Sequence, residues 1–176
     1  MQGRPALRRS GRPPEIRCAC ADSHAAARAA GVTEAQVAEH LAARLGRQSV
    51  LTRDDPPLLW SVIDEMTLHR EIGSPKIMHE ALLHVADTAR SPNVTVQVIP
   101  ANGTYHLGLQ GAFIIAERFG ALARVFIEEA ADGRTSDDAE MVNRLSVRFR
   151  HLQTVAMTPA ESAGLIERIA DERWNS

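Results

Sequence analysis

The chain has 176 residues, 44% of them hydrophobic and 24% charged, with a formal net charge of -2. That suits one soluble domain with a sizeable core, and it leaves no overall attraction for a phosphate backbone, so direct DNA binding is not expected. No apolar run approaches the roughly 18 residues of a membrane span, and residues 1–10 lack the apolar stretch of a secretory signal, so the expected location is the cytoplasm.

The first 20 residues mix Arg, Pro and Gly without apolar periodicity and read as a flexible arm, with a single domain expected over 21–176. The cysteines in this arm, Cys18 and Cys20, stand too close for an easy disulfide and lack the second pair a zinc site needs. No metal and no cofactor are expected. Residues 25–30 are alanine-rich and helix-prone, stopped by Gly31. Thr33 and Gln36 form a capping-box pattern, and Val37, Leu41 and Leu45 follow at four-residue spacing, predicting an amphipathic helix to about Thr52.

Pro56 and Pro57 break the chain, residues 58–63 are short, apolar and strand-like, and residues 64–70 predict a short helical turn. Ser74-Pro75 supplies an N-cap with proline at the first helical position, and Met78, Leu82, Val85 and Ala89 mark the buried stripe of the helix that follows. Val94, Val96 and Val98 then alternate with Thr95, Gln97 and Ile99, the period of a half-buried strand. Residues 101–111 hold three glycines and read as a loop. Residues 112–117 and 122–128 predict two strands joined as a hairpin across Phe119-Gly120, followed by a polar linker at Asp132-Gly133. Ser136 is read as the cap of a long helix with Asp137, Asp138 and Glu140 in its first turn and Met141, Leu145, Phe149 and Leu152 on its apolar face. Thr158 and Glu161 form a second capping box, opening a last helix through Leu165, Ile166 and Ile169. The order α, β, α, β, β, β, α, α predicts an α+β fold, helices packed on a small, mainly antiparallel sheet.

Five stretches carry a family likeness: ARLGRQSVLTRDDPPLLWSVIDEMTLHREIG (43–73), IMHEALLHVADTARSPNVTVQVIP (77–100), GLQGAFII (108–115), VFIEE (125–129) and LSVRFRHLQTVAMTPAESAGLI (145–166). From about Val37 to Glu172 the chain resembles the domain of unknown function that forms the C-terminal part of Xre-type, WhiJ-like helix-turn-helix regulators in filamentous actinobacteria. The resemblance implies a signal-receiving domain that contacts a small ligand or a small acidic partner protein. The chain departs from the family pattern in two respects: an Arg/Pro arm stands where the helix-turn-helix is expected, and Ala81 stands where relatives tend to carry glutamine. DNA binding is therefore not carried over with the resemblance.

Candidate chemistry is sparse. Tyr105 and His106 lie in the glycine-flanked loop, where ligand or partner contact competes with a plain strand connection; an imidazole is a side chain suited to general-base work, but no nucleophile is adjacent to His106. Asp64 and Glu65 end the first strand, and Glu65 and His69 are four apart, sharing a helix face as an orienting pair, two metal ligands or a surface ion pair. They match the family's D-E-x-x-L-x-R pattern, which reads equally as a structural switch into the helix. Trp60 is core or pocket wall. His79 and His84, five apart, do not share a helix face. Glu117, Glu128 and Glu129 end strands and read chiefly as solvated.

No phosphate loop, nucleophile elbow, zinc-protease or dinucleotide motif occurs. Two readings lead, beside a third in which the chain is an incomplete or decayed regulator. One is a stand-alone ligand- or partner-binding domain derived from a regulator, using Trp60, Tyr105, His106 and Glu65. The other is a small-molecule enzyme of specialised metabolism, of cyclase, isomerase or dehydratase type, in which His106, Tyr105, Glu65 and Asp64 would act. A homodimer fits the apolar first helix and strand edges.

Overall fold

The computed structural model describes residues 33–102, 105–117, 122–127 and 133–175. The expected arm over 1–20, the alanine-rich stretch, the cysteines, the Phe119-Gly120 turn, Glu128 and Glu129 lie outside the described residues.

Helix α1 spans Glu34–Gln48 and opens on the expected capping box: the Thr33 hydroxyl accepts from Gln36 N, and Gln36 accepts the Thr33 N–H at 2.9 Å. It ends four residues earlier than predicted, and Ser49–Thr52 continue as a 3-10 turn. Strand β1, Leu59–Asp64, leads through the one-turn helix α2, Met66–His69, into α3, Pro75–Thr88. Ser74 caps α3 with proline behind it, as read from the sequence. The chain returns as β2, Val94–Ile99, which pairs parallel to β1 in the register Leu59 to Val94 through Asp64 to Ile99.

This β-α-β unit carries the core. One stripe of α3 buries Met78, Leu82 and Ala86, four residues apart, in one cluster with Val94, Val96 and Val98 of β2. The last helix, α5 (Pro159–Trp174), closes the layer with Ile166, Ile169, Ala170 and Trp174, whose indole N–H donates to Leu68 O at 3.0 Å. The predicted half-burial of β2 is corrected: Gln97 and Ile99 on its other face are buried too. Gln97 is tolerated there because its amide is satisfied, accepting from Trp60 Nε1 and donating to Met157 O, both at 2.9 Å. The edge of β2 away from β1 is occupied at Val98, whose N–H donates to Ser162 Oγ and whose C=O accepts from Met157 N, each at 2.9 Å.

A second, antiparallel sheet follows in the order β3 (Phe113–Ala116), β4 (Arg124–Ile127) and β5 (Arg134–Ser136). The expected β3–β4 pairing is present. The polar linker is not all linker: β5 begins just after Gly133, three residues with no apolar signal that sheet pairing nevertheless recruits. The following helix, α4, spans Ala139–Val155, and its N-cap is Asp138, which accepts from Met141 N at 2.8 Å, not Ser136, which ends β5. Asp138 wins because its carboxylate stands three residues before a free helix N–H, whereas the Ser136 hydroxyl is used by the Asp138 N–H. The α+β class stands, with its larger sheet antiparallel and its smaller one parallel.

Candidate functional site

Parallel strands deliver their carboxyl ends to one side, and open α/β units place ligands outside those ends. In this chain the side holds Asp64 and Glu65 at the end of β1, with Ala101 and His106 bonded to them after β2. The backbone ladder is extended by one bond there, Glu65 N–H donating to Ile99 O at 3.0 Å.

Each acidic side chain divides its oxygens between a local and a distant partner. Asp64 Oδ1 accepts from Met66 N at 2.7 Å, starting α2, while Oδ2 accepts the Nε2–H of His106 at 2.8 Å. Glu65 Oε2 accepts from Ala101 N at 2.7 Å, and Oε1 lies 3.5 Å from His69 Nε2, at the outer limit of a hydrogen bond. The pair therefore fastens α2 on one side and Ala101 and His106 on the other. The carboxylate of Asp64 is 28% exposed and the His106 side chain only 5%, which makes their bond the more strongly shielded of the two attachments.

Tyr105 alternates with His106 and points outward, 66% exposed, its hydroxyl accepting from Gln110 Nε2 at 3.1 Å. Trp60 is 55% exposed and tied to Gln97 by its indole N–H, so it is not core. The structure thus joins Asp64 to His106, brings Glu65 onto the same loop, and leaves Trp60 and Tyr105 as exposed aromatics. The remaining sequence candidates stay apart: His79 pairs with Asp171 at 3.2 Å, while His84 and Glu117 are exposed. Among the described residues, no three His, Cys, Asp or Glu side chains are grouped to hold a metal ion, and no helix is long and apolar enough to cross a membrane.

One residue of the site was missed in sequence. Arg148, on α4, donates from Nη2 to Leu107 O and to Gly111 O (the latter at 3.2 Å), and its guanidinium lies 5.1 Å from the Phe113 ring centroid. It clamps the 3-10 turn Leu107–Gln110 onto α4. The signal was available: Arg148 stands three residues after Leu145 and four before Leu152, on the apolar stripe, where an arginine needs a reason.

Two glycines shape this turn. Gly111 has φ 127°, a conformation a side chain strains to adopt. Gly108 backs onto the imidazole, and a Cβ there would stand 2.8 Å from His106 Nδ1 and 3.0 Å from Cε1.

A family model described as a domain of unknown function, DUF5753, matches residues 19–168 of the chain. Neither the curated proteins nor the solved structures contain a match to it.

Proposed function

The chain belongs to the DUF5753 family, and from that premise we propose that it works as a receiving domain, of the kind appended to Xre-type, WhiJ-like regulators, that takes up a small ligand at the carboxyl ends of β1 and β2. The observation that carries this reading is the convergence of Asp64, Glu65, Ala101 and His106 there through bonds of 2.7 and 2.8 Å. A fixed polar floor of this sort offers orientation from a few polar groups, and the exposed ring of Tyr105, next to His106 in the chain, offers contact area, while Trp60 lies toward the other end of β1. The formal charge of -2 supports a role in which the domain does not itself grip DNA. The family likeness supports a second kind of occupant, a small acidic partner protein.

Thermal unfolding of the full chain against a metabolite library tests the proposal. A ligand present at a hundred times its dissociation constant stabilises the folded state by about 2.7 kcal/mol, a shift of several degrees. Tyr105→Ala should shrink that shift. A library that moves no melting temperature, together with no association with a co-expressed small acidic protein, would sink the reading.

The Asp64–His106 bond also favours a second reading, an enzyme of cyclase, isomerase or dehydratase type, because a carboxylate orienting an imidazole is a general-base arrangement. Metabolite turnover that vanishes in His106→Gln while ligand-induced stabilisation persists would select it.

A further inference from the structure

Every bond traced so far uses His106 through one nitrogen. Nε2–H donates to the Asp64 carboxylate, so whenever the ring is neutral the other nitrogen, Nδ1, is a hydrogen-bond acceptor. That atom is buried on a side chain 5% exposed and has no hydrogen-bond partner. A second buried polar atom, on the α4 side chain that holds this turn, is in the same condition: Arg148 Nε, a donor, while Nη2 of the same guanidinium is spent on the Leu107 and Gly111 carbonyls. The two side chains flank one short element. His106 is the residue before the 3-10 turn, and Arg148 stands one helical turn before Leu152, whose Cδ2 would lie 3.5 Å from a Cβ on Gly108. The Gly108 turn thus packs over Nδ1 with Leu152 beside it, and the side chain that holds the turn carries the unspent Nε, its guanidinium over the Phe113 ring.

Resting on the ligand-receiving reading above, we propose that Nδ1 of His106 is the recognition atom of the site, masked by the Gly108 turn. Its ligand is an uncharged compound whose hydroxyl or primary amide gives a hydrogen bond to Nδ1 and accepts one from Arg148 Nε–H. Both groups carry a donor and an acceptor, which matches the two unspent atoms. A carboxylate ligand does not match, because it brings no proton to Nδ1 and meets the Asp64 charge on the far side of the same ring. Gly108 belongs to the device: its missing side chain lets the turn close on the imidazole, and displacing the turn uncovers Nδ1.

The test is carbethoxylation of the full chain by diethyl pyrocarbonate, followed by mass spectrometry at each histidine, with the exposed His84 and His151 as internal references. Three probes of one skeleton are compared: 3-methylbutan-1-ol, 4-methylpentanamide and 4-methylpentanoate. In the free protein His106 should react about tenfold more slowly than His84, because attack waits for the turn to open. The alcohol and the amide should slow His106 further and saturably, leave His84 and His151 unchanged, and outdo the carboxylate. Arg148→Gln should speed the reaction at His106 and weaken the protection. Protection by the carboxylate equal to that by the alcohol, protection by none of the three, or a free His106 as reactive as His84 overturns the assignment. A probe that raises the melting temperature without protecting His106 overturns it too, while leaving the ligand-receiving reading intact.

Discussion

Asp64 is one of the few side chains here whose two oxygens both have work, and that gives its substitution a definite signature. Asp64→Asn keeps the shape and an acceptor for Met66 N, but turns an NH2 group toward His106 Nε2 or loses that bond. If the amide donates, the imidazole must carry its proton on Nδ1, a buried atom with no acceptor beside it. Either way a charge-assisted bond is exchanged for a poorly satisfied one, at a cost of about 1–3 kcal/mol. Urea unfolding should show a lower midpoint at unchanged slope; an unchanged midpoint would mean that the pair contributes nothing. The types and rough places of these residues were legible in the sequence, where Asp64 ends a strand and His106 sits among glycines. Their pairing was not, because 42 residues separate them and one chain carries no register between a strand end and a distant loop. Arg148 was passed over for a different reason, since a helical stripe is read by its apolar members and an arginine within it is discounted as solvated.

At the scale of elements, helix starts were the most legible feature, because caps are local chemistry. The boxes at Thr33–Gln36 and Thr158–Glu161 both form as their residue types require. Strand β5 was illegible because Arg134, Thr135 and Ser136 carry no apolar alternation, and pairing with β4 alone makes them a strand. The parallel sense of β1 and β2 is likewise a property of the crossover and not of either strand. The second box has a pH dependence of predictable sign. Glu161 accepts from the Thr158 hydroxyl at 2.6 Å and from its N–H at 3.0 Å, and these bonds, the hydroxyl first, hold its carboxyl below the ordinary 4.5. A carboxylate whose pKa falls on folding stabilises above its unfolded value and loses that contribution as the pH drops through the lower folded value. The stability difference between wild type and Glu161→Gln should therefore be flat above about pH 5 and shrink below about pH 4.5, read from thermal melts. A difference that grows on acidification would assign the opposite sign and exclude the box as its source.

Across the whole molecule, the fold divides its attachments unevenly, and the 106–111 turn is where the two parts meet. On one side stands the β-α-β unit with α5, in which β2 is buried on both faces and Val98 has N–H and C=O both engaged. On the other stand α4 and the β3–β5 sheet, a smaller layer in which Ile114 and Phe126 remain exposed. His106 ties the turn to the first part through Asp64, and Arg148 ties it to the second through the Leu107 and Gly111 carbonyls. Amides that open only with global unfolding belong to the part with the most buried contacts, so β2 should exchange last, and β3–β5 earlier. Arg148→Gln removes the second tie and strands two carbonyls. It should accelerate exchange in β3, β4 and the turn by about tenfold while leaving β2 within about twofold of wild type. Native-state hydrogen exchange by mass spectrometry reads both in one experiment. Equal acceleration in β2 and β3–β5 would show a single cooperative unit, in which a ligand at the turn has no separate layer to move. Acceleration confined to β3, β4 and the turn would give the proposed receiving domain a means of passing on a signal, since whatever seats against His106 would then bias the layer held by Arg148.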